Sequence, residues 1–205
     1  MAKKESTLNN MFFTLLIISL ISTALLSFVY IKTKSPIEKV TELKKNLAIK
    51  KVIPEFNNSP INECIKLPIK QLKGNDSITL DTLKIYLGKL NDSITGYAIE
   101  TFSNEGFSGK IKLMVGFLPD GIIKTIEVIE QNETPGLGDK IYKTKSKFSL
   151  QFEGKNPQNF KIFVKKDGGD VDAITAATIT SRAFCDAVRR AYDGFNYAKK
   201  LSNSN

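Results

Sequence analysis

The densest chemistry in this 205-residue chain lies in Asp172-Ala-Ile-Thr175-Ala-Ala-Thr178-Ile-Thr180-Ser181, where three threonines and a serine are spaced by small or aliphatic residues. The stretch runs directly into a segment with helical periodicity. A helix start leaves backbone N–H groups without partners and carries a partial positive charge, so it suits a phosphate. Hydroxyls placed there have three uses: they cap the helix, hydrogen-bond a bound phosphate, or are esterified by one. Asp172 reads locally as a turn or cap acceptor. A second stretch, Glu133-Thr134-Pro135-Gly136-Leu137-Gly138, combines proline with two glycines. Its backbone N–H groups are free to meet a ligand, or the segment is simply a hairpin exit. It is not a dinucleotide fingerprint, because no Gly-x-Gly-x-x-Gly joins a strand to a helix.

Composition removes other chemistries. The chain has no histidine and two cysteines, Cys64 and Cys185. Ser-His-Asp and Cys-His nucleophile systems are therefore excluded, as are histidine metal sites. Two single cysteines far apart in sequence do not make an iron–sulfur or zinc site within the chain. They pair as a disulfide or stay as buried thiols. The net charge of +9 arises from 30 Lys and Arg against 21 Asp and Glu. The lysines are dispersed and lack interleaved aromatics, so no nucleic-acid partner is expected. A basic surface beside a membrane accounts for the charge instead. Redox chemistry here needs a cofactor held without sulfur or imidazole ligands.

The elements that must position these stretches begin with Met11 to Ile31, uncharged and long enough to cross a bilayer as a helix. Its length, and the Phe-Val-Tyr-Ile-Lys at its end, favour an uncleaved anchor over a signal peptide. Lys3 and Lys4 precede it and Lys32 and Lys34 follow it, so charge alone does not set its orientation. Ser35-Pro36 reads as the opening of a second helix that Pro54 stops, either a stalk or a helix packed on the domain. Residues 57–76, with Pro60, Pro68 and Gly74, read as mostly loop.

Strand-like runs follow at 83–87, 96–102, 110–118 and 122–129, with turns at Asn91-Asp92 and Pro119-Asp120-Gly121. They predict an antiparallel sheet with one face packed and one partly exposed. Residues 160–164 read as a further strand. From about Arg182, the residues Phe184, Ala187, Val188, Ala191, Tyr192 and Phe195 recur on one face of a helix that packs on the sheet. The expected organisation is a short tail (1–10), a transmembrane helix (11–31), a juxtamembrane helix and linker (32–76), an α+β domain (77–201) and a C-terminal tail (202–205).

Taken together, the two motifs resemble the signatures of the FMN-binding domain family. Asp172-Ala-Ile-Thr175-Ala-Ala-Thr178 is similar to its flavinylation motif, an aspartate followed by Ser/Thr-Gly-Ala-Thr. Glu133 to Gly138 resembles its second signature, and Gly106-Phe-Ser-Gly-Lys-Ile111 fits its pattern at the entry to the long hairpin. Motif order and the single anchor resemble the G-subunit family of Rnf-type electron-transport complexes, which is related to the C subunits of sodium-pumping NADH:quinone reductases.

The resemblance implies FMN joined covalently through its phosphate to Thr178, with Asp172 assisting the transfer. Thr175, Ala177, Thr180 and Lys166 would lie near the phosphate or the flavin, and Glu133, Thr134, Gly136 and Leu137 would line the isoalloxazine. It further implies a flavin transferase for maturation and other integral and peripheral subunits as partners. The complex would couple electron transfer between ferredoxin and NAD to ion movement. The soluble domain would sit on the periplasmic face of the bacterial cytoplasmic membrane. The family usually has glycine where this chain has Ala176. A stand-alone membrane-tethered flavin carrier or an unflavinylated binding module are the rival readings.

Overall fold

The computed structural model describes residues 7–73, 77–91 and 93–203. A long helix, α1 (Leu8–Val52), comes first. Five strands follow: β1 (Ile65–Lys73), β2 (Ser77–Leu90), β3 (Ser93–Gly106), β4 (Gly109–Phe117) and β5 (Ile123–Glu130). Short 3-10 turns at Gly138–Ile141, Phe148–Phe152 and Lys165–Asp167 then lead to the terminal helix α2 (Thr178–Asn203). The chain divides into two compact units, Met1–Leu43 and Lys44–Asn205.

The first unit is helical from Leu8 onward. Its apolar segment has a mean hydropathy of 2.4 over its best window, long and apolar enough to cross a membrane. Ser35-Pro36 does not open a second helix as the sequence suggested, because Pro36 lies inside α1. Proline's fixed φ is itself helical, so the residue removes one donor without ending the element.

The second unit is built on a meander, strand order β1-β2-β3-β4-β5, with every neighbouring pair antiparallel. Local sequence sets its turns. In the β4–β5 turn, Gly121 takes φ +92 and the Asp120 carboxylate accepts the Ile122 N–H at 3.0 Å. The β2–β3 turn carries Asn91 at φ +49, while Asp92 lies outside the described residues. Strand β1 falls in the span that read as loop; of that span, 74–76 lie outside the described residues. Pro68 argued against a strand, but β1 is an edge strand, the place in a sheet where proline is tolerated.

Alternation along the strands divides the sheet between two cores. Ile85, Tyr97, Ile99, Ile111, Leu113, Val115 and Phe117 point to one face, where α2 and the segment 138–177 cover them. Tyr86, Ala98, Met114 and Ile129 point to the other, against Ala48, Ile49, Val52 and Ile53 from the end of α1 and the residue after it. The second face is thus packed where the sequence pattern had left it partly exposed. Two glycines permit this approach. A Cβ at Gly116 would lie 2.3 Å from the Val52 carbonyl oxygen, and one at Gly88 would lie 2.2 Å from Ile53 Cγ2. Lys45 reaches Glu100 at 3.1 Å, and Lys124 Nζ donates to the Ile53 carbonyl at 2.9 Å, closing the helix end.

The expected strand at 160–164 is not one. Ile162 and Val164 are buried and Lys161 and Phe163 exposed, so the alternation is real, but no strand among the described residues lies alongside. Its backbone is satisfied locally instead. Asp170 accepts the Lys161 N–H at 2.6 Å, Arg189 donates to the Ile162 carbonyl at 2.6 Å, and Val164 makes an isolated bridge to Val171. Helix α2 starts four residues before the expected Arg182. Its inner face buries Phe184, Ala187, Val188, Ala191 and Phe195 completely or nearly so. That burial fixes α2 against β3 and β4, and so fixes where its first turn emerges.

Candidate functional site

Thr178 opens α2, and three hydrogen bonds define how the chain reaches it. Ala177 N–H donates to the Ile174 carbonyl at 3.0 Å, closing a turn over Thr175 and Ala176. Ser181 Oγ donates to the Ala177 carbonyl at 2.9 Å and accepts the Ile174 N–H at 3.0 Å. The first intrahelical bond runs from Ser181 N–H to the Ala177 carbonyl. The N–H groups of Thr178, Ile179 and Thr180 are the ones that helix geometry leaves without an intrahelical acceptor. Ala176 has φ +61, the left-handed region that an alanine enters at a cost of roughly 1–2 kcal/mol. A turn with a positive φ at its third residue calls for glycine. The glycine that the motif resemblance implies at this position would have a backbone reason.

This turn faces a cavity of about 330 Å³ lined by Phe107, Glu133, Thr134, Leu137, Gly138 and residues 176–180. The two sequence motifs meet here because the β3–β4 turn and the exit from β5 lie at the same end of the sheet, and the start of α2 reaches them through the Thr180–Glu133 hydrogen bond. Phe107, Leu137 and Ile179 are exposed apolar side chains at its rim. Glu133 is the single ionisable residue in the lining, and no lysine or arginine joins it. Among the described lining residues, partial positive charge is offered by the helix N-terminus rather than by a side chain.

Glu133 is 5% exposed and fully engaged. Its Oε1 accepts the Ser108 N–H at 3.1 Å from the β3–β4 turn, and its Oε2 accepts the Thr180 hydroxyl at 2.6 Å. Gly106 and Gly138 make room for it, since a Cβ on either would lie 2.6 Å from a Glu133 carboxylate oxygen. Beneath the loop, buried Asp139 accepts the Gly136 N–H at 2.8 Å and pairs with Lys145. The Lys145 ammonium, helped by that N–H, holds the Asp139 carboxyl below the usual carboxylate range.

The sequence-derived residues separate clearly. Glu133, Thr134, Leu137, Ala177, Thr178 and Thr180 line the cavity. Gly136 does not; it is exposed at φ +79 and makes the loop's turn. Asp172 is exposed, ion-paired to Lys165 at 2.7 Å, with its backbone held by the Gln151 side chain. Thr175 is exposed at the turn, and Lys166 is exposed on the 3-10 segment, away from the lining. Sequence reasoning missed Phe107 and Ile179. An exposed phenylalanine at a two-residue hairpin tip was the available signal for the first.

Among the four hydroxyls of the opening stretch, Thr180 and Ser181 are consumed by internal bonds, and Thr175 lies outside the lining. Thr178 lines the cavity, is half-buried, and its hydroxyl makes no hydrogen bond among the described residues. A free hydroxyl beside unpartnered first-turn N–H groups, with an apolar rim, fits a phosphate-bearing aromatic group such as FMN.

Known proteins agree with that fit. The FMN-binding domain family matches over residues 106–193, which include the cavity lining. A protein from Erwinia tasmaniensis, named as the G subunit of an ion-translocating oxidoreductase complex, is 37% identical over 182 residues, 86% of this chain and 84% of that protein. Proteins of the same name from Haemophilus influenzae strain PittEE (36% identical; 85% and 83% covered) and Aliivibrio fischeri strain MJ11 (35%; 91% and 89%) are similar. This chain belongs to that G-subunit family. The crystal structure of Shewanella oneidensis NqrC is similar at 20% identity, with a TM-score of 0.45, covering 66% of this chain and 69% of that one. In this member of the G-subunit family, the matched FMN-binding domain begins at the β3–β4 turn and ends inside α2, so both walls of the cavity belong to it.

Proposed function

We propose that this protein is the membrane-anchored flavoprotein subunit of an ion-translocating, Rnf-type ferredoxin:NAD oxidoreductase complex. It relays electrons through FMN linked by a phosphoester to Thr178. The observation that carries the reading is the unbonded Thr178 hydroxyl at the mouth of the cavity, beside the free N–H groups of the first turn of α2. A phosphodiester monoanion on that oxygen meets backbone donors and the positive end of the helix dipole, worth roughly 0.3–2 kcal/mol according to burial. FMN supplies the electron-accepting and electron-donating chemistry; the protein binds, orients and partly shields it. Phe107, Leu137 and Ile179 offer apolar surface to an aromatic ring, and the cavity's exposed rim keeps that ring within reach of a partner.

Covalent attachment suits a carrier outside the cytoplasm, where a dissociated flavin is lost. We place the soluble domain on the periplasmic side of the bacterial inner membrane. The apolar part of α1 serves as its single span, the other subunits are its electron partners, and a flavin transferase matures it. Support for this arrangement comes from family membership and from the length and hydropathy of α1.

The test is the full chain coexpressed with a flavin transferase, wild type beside Thr178→Ala, read by intact mass and in-gel flavin fluorescence. The wild type should gain the mass of one FMN phosphoester and fluoresce after denaturation, and the variant should do neither. Equal flavin on the variant would refute the attachment.

A further inference from the structure

Two threonines of identical chemistry, Thr178 and Thr180, line the same cavity from the same helical turn. Something in the fold must choose between them. We propose that the buried Glu133 carboxylate makes the choice: it holds the Thr180 hydroxyl and leaves Thr178 as the acceptor. The inference rests on the phosphoester reading above and adds a positioning and specificity role for a residue that the sequence had placed against the flavin ring.

The geometry supports it in three ways. Thr180 is 1% exposed and its Oγ1 lies 2.6 Å from Glu133 Oε2, so its proton is committed to an anionic acceptor. A phosphate on Thr180 would bring its anionic oxygens beside that carboxylate, and like charges at such range in a partly desolvated site repel strongly. Glu133 cannot swing away to relieve this, since Ser108 N–H holds its other oxygen and Gly106 and Gly138 close over it within a Cβ's reach. Thr178, two residues earlier, has no such partner and faces the cavity mouth.

In the transfer, the Thr178 Oγ–P bond forms as the phosphoanhydride bond of a flavin dinucleotide donor breaks. The nucleoside monophosphate leaves and the hydroxyl proton passes to solvent. Glu133 takes no part in that exchange; it acts through Thr180.

The experiment uses the full chain coexpressed with a flavin transferase, with tandem mass spectrometry to locate the flavin and a thermal midpoint to report folding. Wild type should carry flavin on Thr178 alone. Glu133→Gln keeps the side chain's size but removes the charge and the anionic acceptor, so part of the flavin should move to Thr180. Thr178→Ala should be flavin-free, and Glu133→Ala combined with Thr178→Ala should regain flavin, now on Thr180. A merely structural role for Glu133 cannot produce that gain. Glu133→Gln alone, which disturbs the packing least, decides the matter if the double variant fails to fold. Flavin on Thr180 in the wild type, flavin on Thr178 alone in a folded Glu133→Gln, or a folded but flavin-free double variant would each overturn the proposal. A flavin-free wild type would instead overturn the phosphoester reading beneath it.

Discussion

Deleting the end of α1 should destabilise the flavin-binding unit almost as much as the whole unit is stable. Ile49, Val52 and Ile53 are 2%, 0% and 2% exposed, packed on Tyr86, Ala98, Met114 and Ile129 of the sheet. Burying each is worth roughly 1.5–3 kcal/mol, so the three contribute about 5–9 kcal/mol against an extended reference. Allowing for a compact unfolded chain lowers this to about 3–8 kcal/mol. Domains of this size are stable by about 5–15 kcal/mol. Two fragments isolate the effect: residues 44–205, and residues 57–205, which keep every strand and α2 but lose the helix end. With a urea slope of about 2–3 kcal/mol/M, the shorter fragment's midpoint should fall by at least about 1 M. It should also elute as aggregates, because a formerly covered sheet face is bare. The measurement is urea unfolding followed by far-UV circular dichroism, with size-exclusion chromatography alongside. Midpoints equal within about 0.3 M would refute the packing of the helix end as an energetic part of the domain.

Two further outcomes follow from the site. Ala176→Gly relieves a left-handed alanine of about 1–2 kcal/mol but loosens the unfolded chain by about 0.4–1 kcal/mol, so it should stabilise slightly. Gly136→Ala, at φ +79 with open space around its Cβ position, should do the reverse by about the same amount. Thermal melts of the full chain in detergent should show midpoint shifts of opposite sign. Asp139 gives a pH prediction. Its folded carboxyl titrates below the ordinary range because Lys145 and the Gly136 N–H favour the anion. Its stabilising contribution is complete above the unfolded value of about 3.9 and is lost as pH falls through the folded value. Asp139→Asn should therefore lower stability at neutral pH and flatten the acid limb of a stability–pH curve measured by urea unfolding; an unchanged limb would count against the pairing.

Much of this protein is legible in the chain itself, because much of it is set locally. The apolar run in α1, the Pro-Asp-Gly turn, the alternation in β4 and the amphipathic face of α2 each follow from neighbouring residues. The threonine-rich helix start and the Pro-Gly-Leu-Gly loop are also local, so both halves of the cavity could be named. What failed did so where a distant partner decides. Residues 160–164 alternate like a strand but find none beside them among the described residues, while β1 contains a proline that only its edge position excuses. The end of α1 was compatible with a free stalk or a packed helix, and the glycines of β2 and β4 chose packing.

The sequence by itself determined that this chain holds one apolar helix, an antiparallel sheet and a hydroxyl-rich helix start, since these depend on periodicity and turn chemistry within a few residues. Only the tertiary structure decided which hydroxyl is free. Glu133 reaches Thr180 across 47 residues of chain, and Ser181 turns back on its own turn. What remains in the cavity lining is Thr178, whose hydroxyl makes no hydrogen bond among the described residues.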